Sequence, residues 1–318
     1  MRYGYYPGCS LGSTAAAYDQ STKAIAKPLG LELEEIHDWN CCGATEYFSI
    51  QKTAAYALVA RNLALAANQG GLTQITAPCS ACYLNLRKTD NYMGKYPEIN
   101  EHTNEALAAG GLSYKPGSLK VRHLLDVVVN DVGLDAIQEK VTSPLKGLRL
   151  APYYGCLLVR PTLGEQVDDP EYPTHLDELL DVVGATVVDF PLKAHCCGGH
   201  MTQISADTAY ELIRRILQNA AEYEADAIVT VCPMCQLNLD AYQSQVNGHF
   251  GTSFNLPILY FTQIIGLAFG MKPKELGIGK EIVSASPLLS KIGAEVEEPE
   301  ARPARRRRDD KSLPMPKI

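Results

Sequence analysis

At 318 residues the chain is too long for one small core and has room for two domains. Hydrophobic residues make up 46% and charged residues 20%, the balance of an ordinary soluble globular protein. The formal net charge of -7 excludes a nucleic-acid coat, which needs a basic surface.

The first element is a short apolar strand over residues 2–6, which delivers Cys9 at its C-terminal end. It runs straight into a cysteine motif with no apolar core of a signal peptide, so no secretory leader is expected. A helix is predicted over 14–29 and a β-rich run over 31–36, leading to the adjacent pair Cys41-Cys42 and Gly43. A longer helix follows near 53–68, then a strand over 72–77 that ends at Cys79-Ser80-Ala81-Cys82, with another helix beyond. Residues 88–120 are polar and glycine-containing and read as an inserted surface excursion or partner contact; 121–133 close the first half.

The same order then returns. A strand over 148–154 leads to Cys156, a helix over 174–183 and a β-rich run over 186–190 lead to Cys196-Cys197, and a helix over 206–223 and a strand over 227–231 lead to Cys232-Pro233-Met234-Cys235. Residues 258–270 pair with 121–133. The gaps between cysteine elements are 31 and 36 residues in the first half and 39 and 34 in the second, and no cysteine lies outside the scheme. The chain is therefore read as an internal duplication: a first domain over 1–146, a second over 147–272, and an extension over 273–318 expected to be disordered. Its four arginines at 305–308 sit between acidic blocks and read as a solvated tail or a docking tail for an acidic partner. The most apolar stretch, 256–271, is shorter than the roughly 20 residues of a membrane span and reads as a buried helix.

Strands alternating with helices imply an α/β fold with parallel sheets covered on both faces. All three cysteine elements of a half then follow the C-terminal ends of strands, the edge where open α/β sheets bind ligands. Ten cysteines without a secretory signal point to a reducing, cytoplasmic setting, with thiols used for metal or redox work and not for structural disulfides. Zinc takes four ligands and would leave one of five thiolates over. Adjacent cysteines in an extended chain point to opposite sides, which suits a cluster several ångströms across better than one ion. Five thiolates per half thus indicate an iron–sulfur cluster, either a cubane with a spare thiol or a cluster of another shape that uses all five. Neither a dinucleotide nor a nucleotide-triphosphate motif is present, so electrons are expected from a partner protein.

At these motifs the sequence closely resembles the cysteine-rich CCG domain proteins, specifically the B-type subunits of heterodisulfide reductase and their bacterial relatives. The resemblance covers nearly the whole chain to about residue 271, and the motif, present twice, is highly specific. It implies two tandem Rossmann-like domains. It implies that Cys9, Cys41, Cys42, Cys79 and Cys82 hold one non-cubane [4Fe–4S] cluster and that Cys156, Cys196, Cys197, Cys232 and Cys235 hold the other. The gap of 34 residues is slightly short of the family's usual spacing, a difference that a loop or helix end absorbs.

The resemblance further implies two-electron reduction or formation of a disulfide. Its partners would be a ferredoxin-type iron–sulfur subunit (the C-type of that family) and, through it, a flavin subunit (the A-type). The alternative is a non-catalytic electron-transfer subunit of a lactate, glycolate or quinone-type oxidoreductase. His195 and His200 flank the second double cysteine and Lys193 precedes it; they are the candidate proton donors or anion contacts, or they merely orient the loop. Asn40 takes the place of His195 in the first half, so the two sites are chemically unequal. The tyrosine pairs Tyr5-Tyr6 and Tyr153-Tyr154 read as exposed packing residues.

Overall fold

A computed structural model describes residues 1–44, 47–164 and 166–293. It contains two four-stranded sheets, each wholly parallel. In the first, β1 (Arg2–Tyr5), β2 (Glu32–Glu35), β3 (Gln74–Ala77) and β4 (Lys120–His123) lie in the order β2-β1-β3-β4. In the second, β5 (Arg149–Tyr153), β6 (Thr186–Val187), β7 (Ala227–Thr230) and β8 (Ile258–Tyr260) lie in the order β6-β5-β7-β8. The topologies match strand for strand, as a duplication requires, and together they are the two tandem Rossmann-like domains expected. The central strands are buried on both faces, which is why β7 reads as an uninterrupted Ala-Ile-Val-Thr run.

The sequence pattern does not reveal the fourth strand of each sheet. It pairs 121–133 with 258–270 only as closing segments and makes 256–271 one helix. In the structure each begins as an edge strand and turns helical afterwards, Phe261–Ala268 in the second half and Leu124–Asp126 with the π-helix Val127–Val132 in the first. A fully buried apolar run shows no periodicity that separates strand from helix.

The stretch 88–120 is largely helical. The helix Ser80–Lys95 runs into it, and Pro97–Ala108 follows and packs on the helix Lys52–Asn68. Gln243–Phe250 is the corresponding cover in the second half.

The halves form one packed unit. Tyr18, on the helix Ala16–Ala26, stacks on Tyr260 with ring centroids 4.1 Å apart. Ser21 Oγ and Thr262 Oγ1 share a hydrogen bond of 2.6 Å beside them. The expected disorder from residue 273 does not hold for the described part of that segment. The 3-10 helix Pro273–Leu276 packs on Ala16–Ala26, where the Gln20 amide donates to the carbonyls of Lys274 and Glu275 at 2.8 and 3.0 Å. Farther on, the Asp240 carboxylate accepts from the N–H groups of Ile282 and Val283 at 2.8 and 2.9 Å. These anchors are side chain to backbone bonds, which leave no apolar periodicity in the sequence. The acidic blocks and the arginines at 305–308 lie outside the described residues.

Candidate metal centres

Each cysteine sits where a strand hands over to the next element. Cys9 and Cys156 follow β1 and β5 after a glycine turn. Gly8 and Gly155 take positive φ values of 73° and 67°, and a Cβ on either would lie 2.8 or 2.9 Å from the Sγ of Cys82 or Cys235. Only glycine lets the backbone pass this close to the thiol. The double cysteines lie on the loops after β2 and β6. Cys79 and Cys232 are the N-caps of the helices Ser80–Lys95 and Pro233–Ala241, so Cys82 and Cys235 fall in the first turn. The positive ends of both helices therefore point at the thiols, an arrangement that favours thiolate and the anionic groups it binds.

The adjacent cysteines diverge. Exposed Cys41 approaches Cys9 at 3.6 Å between sulfurs, whereas buried Cys42 approaches Cys82 at 3.4 Å. In the second half Cys196 is close enough to Cys156 for each thiol to shift the other, and buried Cys197 lies 3.5 Å from Cys235. The two sets also meet at the boundary: the neighbouring Cys232 thiol raises the proton affinity of Cys79, and Cys79 lowers that of Cys232. Among the described residues no group of three or more His, Cys, Asp or Glu side chains is set to hold a single metal ion. The thiols approach one another in pairs. All five of the second set line one cavity of about 190 Å³, one thiol more than the four ligands of a tetrahedral ion, and this donor set fits a multi-metal cluster. The Cys196 thiol is lowered to about 6, chiefly by the neighbouring Cys156 thiol, with help from the Gly198 N–H at 3.3 Å and the Arg160 charge.

Both sites share supports that occur twice in the sequence without marking their role there. Tyr6 Oη donates to the Asn40 carbonyl and Tyr153 Oη to the His195 carbonyl, each at 2.6 Å, fixing the residue before each double cysteine. Asn85 donates to the carbonyls of Cys42, at 3.0 Å, and Ala44. Asn238 does the same to Cys197 and Gly199 at 3.1 and 2.8 Å, with the Cys197 Sγ at 3.6 Å. Tyr5, Tyr6, Tyr153 and Tyr154 are fully buried, not exposed as expected; the hydroxyls of Tyr6 and Tyr153 hold the loops, and those of Tyr5 and Tyr154 donate to Asp19 and Asp177.

His200 lines the cavity with the five thiols. His195 lies outside that lining and is exposed, and its basicity is lowered by desolvation and by the charges of Arg160 and Arg215. Lys193 is not an anion contact. It is 1% exposed, pairs with Asp177 at 2.9 Å and rests on the Tyr172 ring at 3.8 Å. The chain delivers it inward because its stem packs and its charge finds the half-buried Asp177 carboxylate.

The chain matches the model of the family described as CCG, cysteine-rich domain, over residues 3–87 and 150–240. It is 34% identical to the 8-methylmenaquinol:fumarate reductase membrane anchor subunit of Wolinella succinogenes, over 90% of this chain and 98% of that protein. It is 31% identical to the B-type subunit of the ferredoxin:CoB-CoM heterodisulfide reductase of Methanosarcina mazei, over 90% and 95%. A protein of Archaeoglobus profundus, described as like a heterodisulfide reductase B-type subunit, is also 31% identical, over 87% and 93%. Among solved structures, a hypothetical protein from Helicobacter pylori superposes with a TM-score of 0.69 at 15% identity, over 89% of this chain and 52% of that one. The chain thus spans about half of that solved protein, and the likeness is one of fold. Although one relative is named a membrane anchor, no helix among the described residues is long and apolar enough to cross a membrane.

Proposed function

The chain belongs to the cysteine-rich CCG domain proteins of the heterodisulfide reductase B-type family, and from that premise we propose that it is the iron–sulfur catalytic subunit of a cytoplasmic complex that reduces or forms a disulfide. One observation carries the reading: two complete five-thiol sets converge on one boundary, where Cys79 meets Cys232. Cys9, Cys41, Cys42, Cys79 and Cys82 would hold one non-cubane [4Fe–4S] cluster, and Cys156, Cys196, Cys197, Cys232 and Cys235 the other. When bound, such clusters supply single electrons and iron to which a thiolate can bind.

The chain's own part is positioning and proton delivery. Helix N-termini at Cys79 and Cys232 offset the negative charge of the thiolates. Asn85 and Asn238 hold the double-cysteine loops against the helices that carry Cys82 and Cys235. Reduction takes one disulfide, two electrons and two protons to two thiols. The electrons come from a ferredoxin-type iron–sulfur subunit, itself served by a flavin subunit. One proton comes from His200, which faces the thiols, and His195 relays from solvent at the exposed side.

The test is anaerobic protein with about eight irons per chain, given reduced viologen and a disulfide. The expected result is two thiols released per two electrons, and His200→Ala should slow this roughly 10²-fold with its iron intact. Near-stoichiometric zinc with little sulfide would sink the reading. A second reading, a subunit that only passes electrons, is favoured by the 34% identity to a fumarate reductase component. It predicts reducible clusters and no thiol release.

A further inference from the structure

A separate cavity of about 660 Å³ opens in the first half, between the helices Tyr47–Ile50, Lys52–Asn68, Ser80–Lys95 and Pro97–Ala108. Among the described residues no cysteine lines it, and its size is that of a small-molecule site. One wall is aromatic. Phe48 and Tyr56 meet edge to face with ring centroids 5.0 Å apart, and Tyr92 and Tyr96 do so at 5.4 Å. Tyr56 is only 5% exposed, yet its hydroxyl bonds to no described residue. Burial, and the phenols of Tyr92 and Tyr96 beside it, push its pKa up to about 12. A hydroxyl so enclosed and unmatched favours any acceptor that enters the cavity.

Two lysines line the same cavity, and neither pairs with a carboxylate among the described residues. Lys88 is half-buried, with Nζ 4.2 Å from the centre of the Phe48 ring and 5.8 Å from that of Tyr92. Desolvation and the neighbouring charge of Lys52 lower its basicity. Lys52 opens the helix Lys52–Asn68, whose N-terminus no side chain caps, so unpaired N–H groups stand beside the two ammoniums. The other titratable groups of the lining, Glu98 and His102, are exposed on the helix Pro97–Ala108. Like charges thus share a cavity without a counter-ion, in a chain whose net charge is -7.

The duplication supplies an internal control. The helices Lys52–Asn68 and Ala206–Glu222 are both 17 residues long, and Tyr56 and Tyr210 both stand fifth. Lys52 matches Ala206, and Lys88, six residues after Cys82, matches Ala241, six after Cys235. In the second half Tyr210 instead meets the rings of Tyr242 and His249, and the nearby cation Arg214 pairs with Glu211 at 2.8 Å. The same framework therefore stands without either lysine, and its nearby cation is neutralised there.

We propose that this cavity is a binding site for a phosphate monoester of a flat aromatic group. The phosphate meets Lys52, Lys88 and the Tyr56 hydroxyl, every one a donor, and the ring lies against Tyr92 and Tyr96. A dianion answers two ammoniums where a single carboxylate answers one. The site stands apart from both thiol sets and does not depend on the disulfide reading.

The experiment titrates the anaerobic, iron-loaded protein by calorimetry with phenyl phosphate, benzoate, inorganic phosphate and phenol. Phenyl phosphate should bind at least about tenfold more tightly than each of the other three, because only it offers both a ring and two charges. The double variant Lys52→Ala with Lys88→Ala copies the second half. It should weaken phenyl phosphate at least about tenfold while keeping its iron and both paramagnetic signals. Tyr56→Phe should also weaken it, without lowering the unfolding temperature of the unliganded protein, since the lost hydroxyl has no partner in the fold. Absence of phenyl phosphate binding at millimolar concentration would overturn the assignment. So would equal binding of benzoate, phosphate or phenol, or undiminished binding by the double variant. If the double variant fails to fold, the ranking of the four probes and Tyr56→Phe still decide. Disulfide reduction by the unaltered protein is measured separately, so either reading can fail without the other.

Discussion

The Cys79 and Cys232 thiols are close enough to shift each other's proton affinity, Cys79 upward and Cys232 downward, although 152 residues separate them in the chain. Each caps the helix that follows it, so two helix N-termini meet at one thiol pair. A cysteine at this junction belongs to both halves in a way that Cys41, paired with Cys9 on the exposed side, does not. Cys79→Ala is expected to alter the paramagnetic signals of both halves, and Cys41→Ala that of the first alone. Iron content and resonance spectra of the two variants check this. An unchanged second-half signal in Cys79→Ala would refute it.

Asn238 satisfies two carbonyls on either side of Gly198, the buried one of Cys197 and the partly buried one of Gly199. Asn238→Leu keeps the volume and leaves those carbonyls without a donor, at about 1–3 kcal/mol. The variant should unfold at lower temperature and lose iron faster to a chelator, and Asn85→Leu should do the same in the first half. Calorimetry and chelator kinetics under anaerobic conditions measure both. Wild-type iron retention in either variant would mean that the loops stand without the amides.

Gly155 combines a positive φ with a 2.9 Å approach to Cys235. Gly155→Ala should push that thiol aside and cost the second site its iron, about half of the total. Gly164→Ala is the control, since its φ is 88° and no described residue beyond its chain neighbours lies within 4 Å of the added methyl. Backbone strain alone predicts equal loss from both, and the thiol clash predicts loss from Gly155→Ala only.

Lys193 and Asp177 form a pair whose two members differ in exposure: the lysine side chain is 1% exposed and the aspartate 18%. Removing the lysine strands a carboxylate, and Lys193→Met should cost about 3 kcal/mol near neutral pH, less than a fully buried pair because water reaches Asp177. Desolvation raises the Asp177 carboxyl above the usual carboxylate range. A group whose folded value is raised favours the folded state most at low pH and loses that contribution as pH rises through the folded value. The defect should therefore be larger at pH 8 than at pH 5, and Asp177→Asn in the same chain should relieve much of it. Thermal unfolding across that range reads the sign, and a defect that grows toward acid would exclude the explanation.

What the sequence disclosed follows from what each feature depends on. The doubled order of the ten cysteines is legible because spacing is a property of the chain itself. The parallel sheets were legible because strand and helix alternate. Asn85 and Asn238 were visible as repeated letters, yet their bonds to Cys42 and Cys197 depend on how a loop crosses a helix, which spacing does not encode. The strands β4 and β8 were hidden because burial on both sides removes periodicity. Lys193 was misplaced for a related reason: nothing local marks the carboxylate 16 residues earlier that draws it inward.

The segment Pro273–Leu276 and the helix Phe261–Ala268 both lie against Ala16–Ala26, near the start of the chain. During synthesis the face carrying Tyr18 and Ser21 leaves the ribosome early and waits more than 230 residues for Tyr260 and Thr262. At roughly 5–20 residues per second, that is some tens of seconds at most with an unfinished apolar surface. The half that is made first is thus completed last, and the interval calls for a chaperone or for temporary cover by its own neighbouring segments.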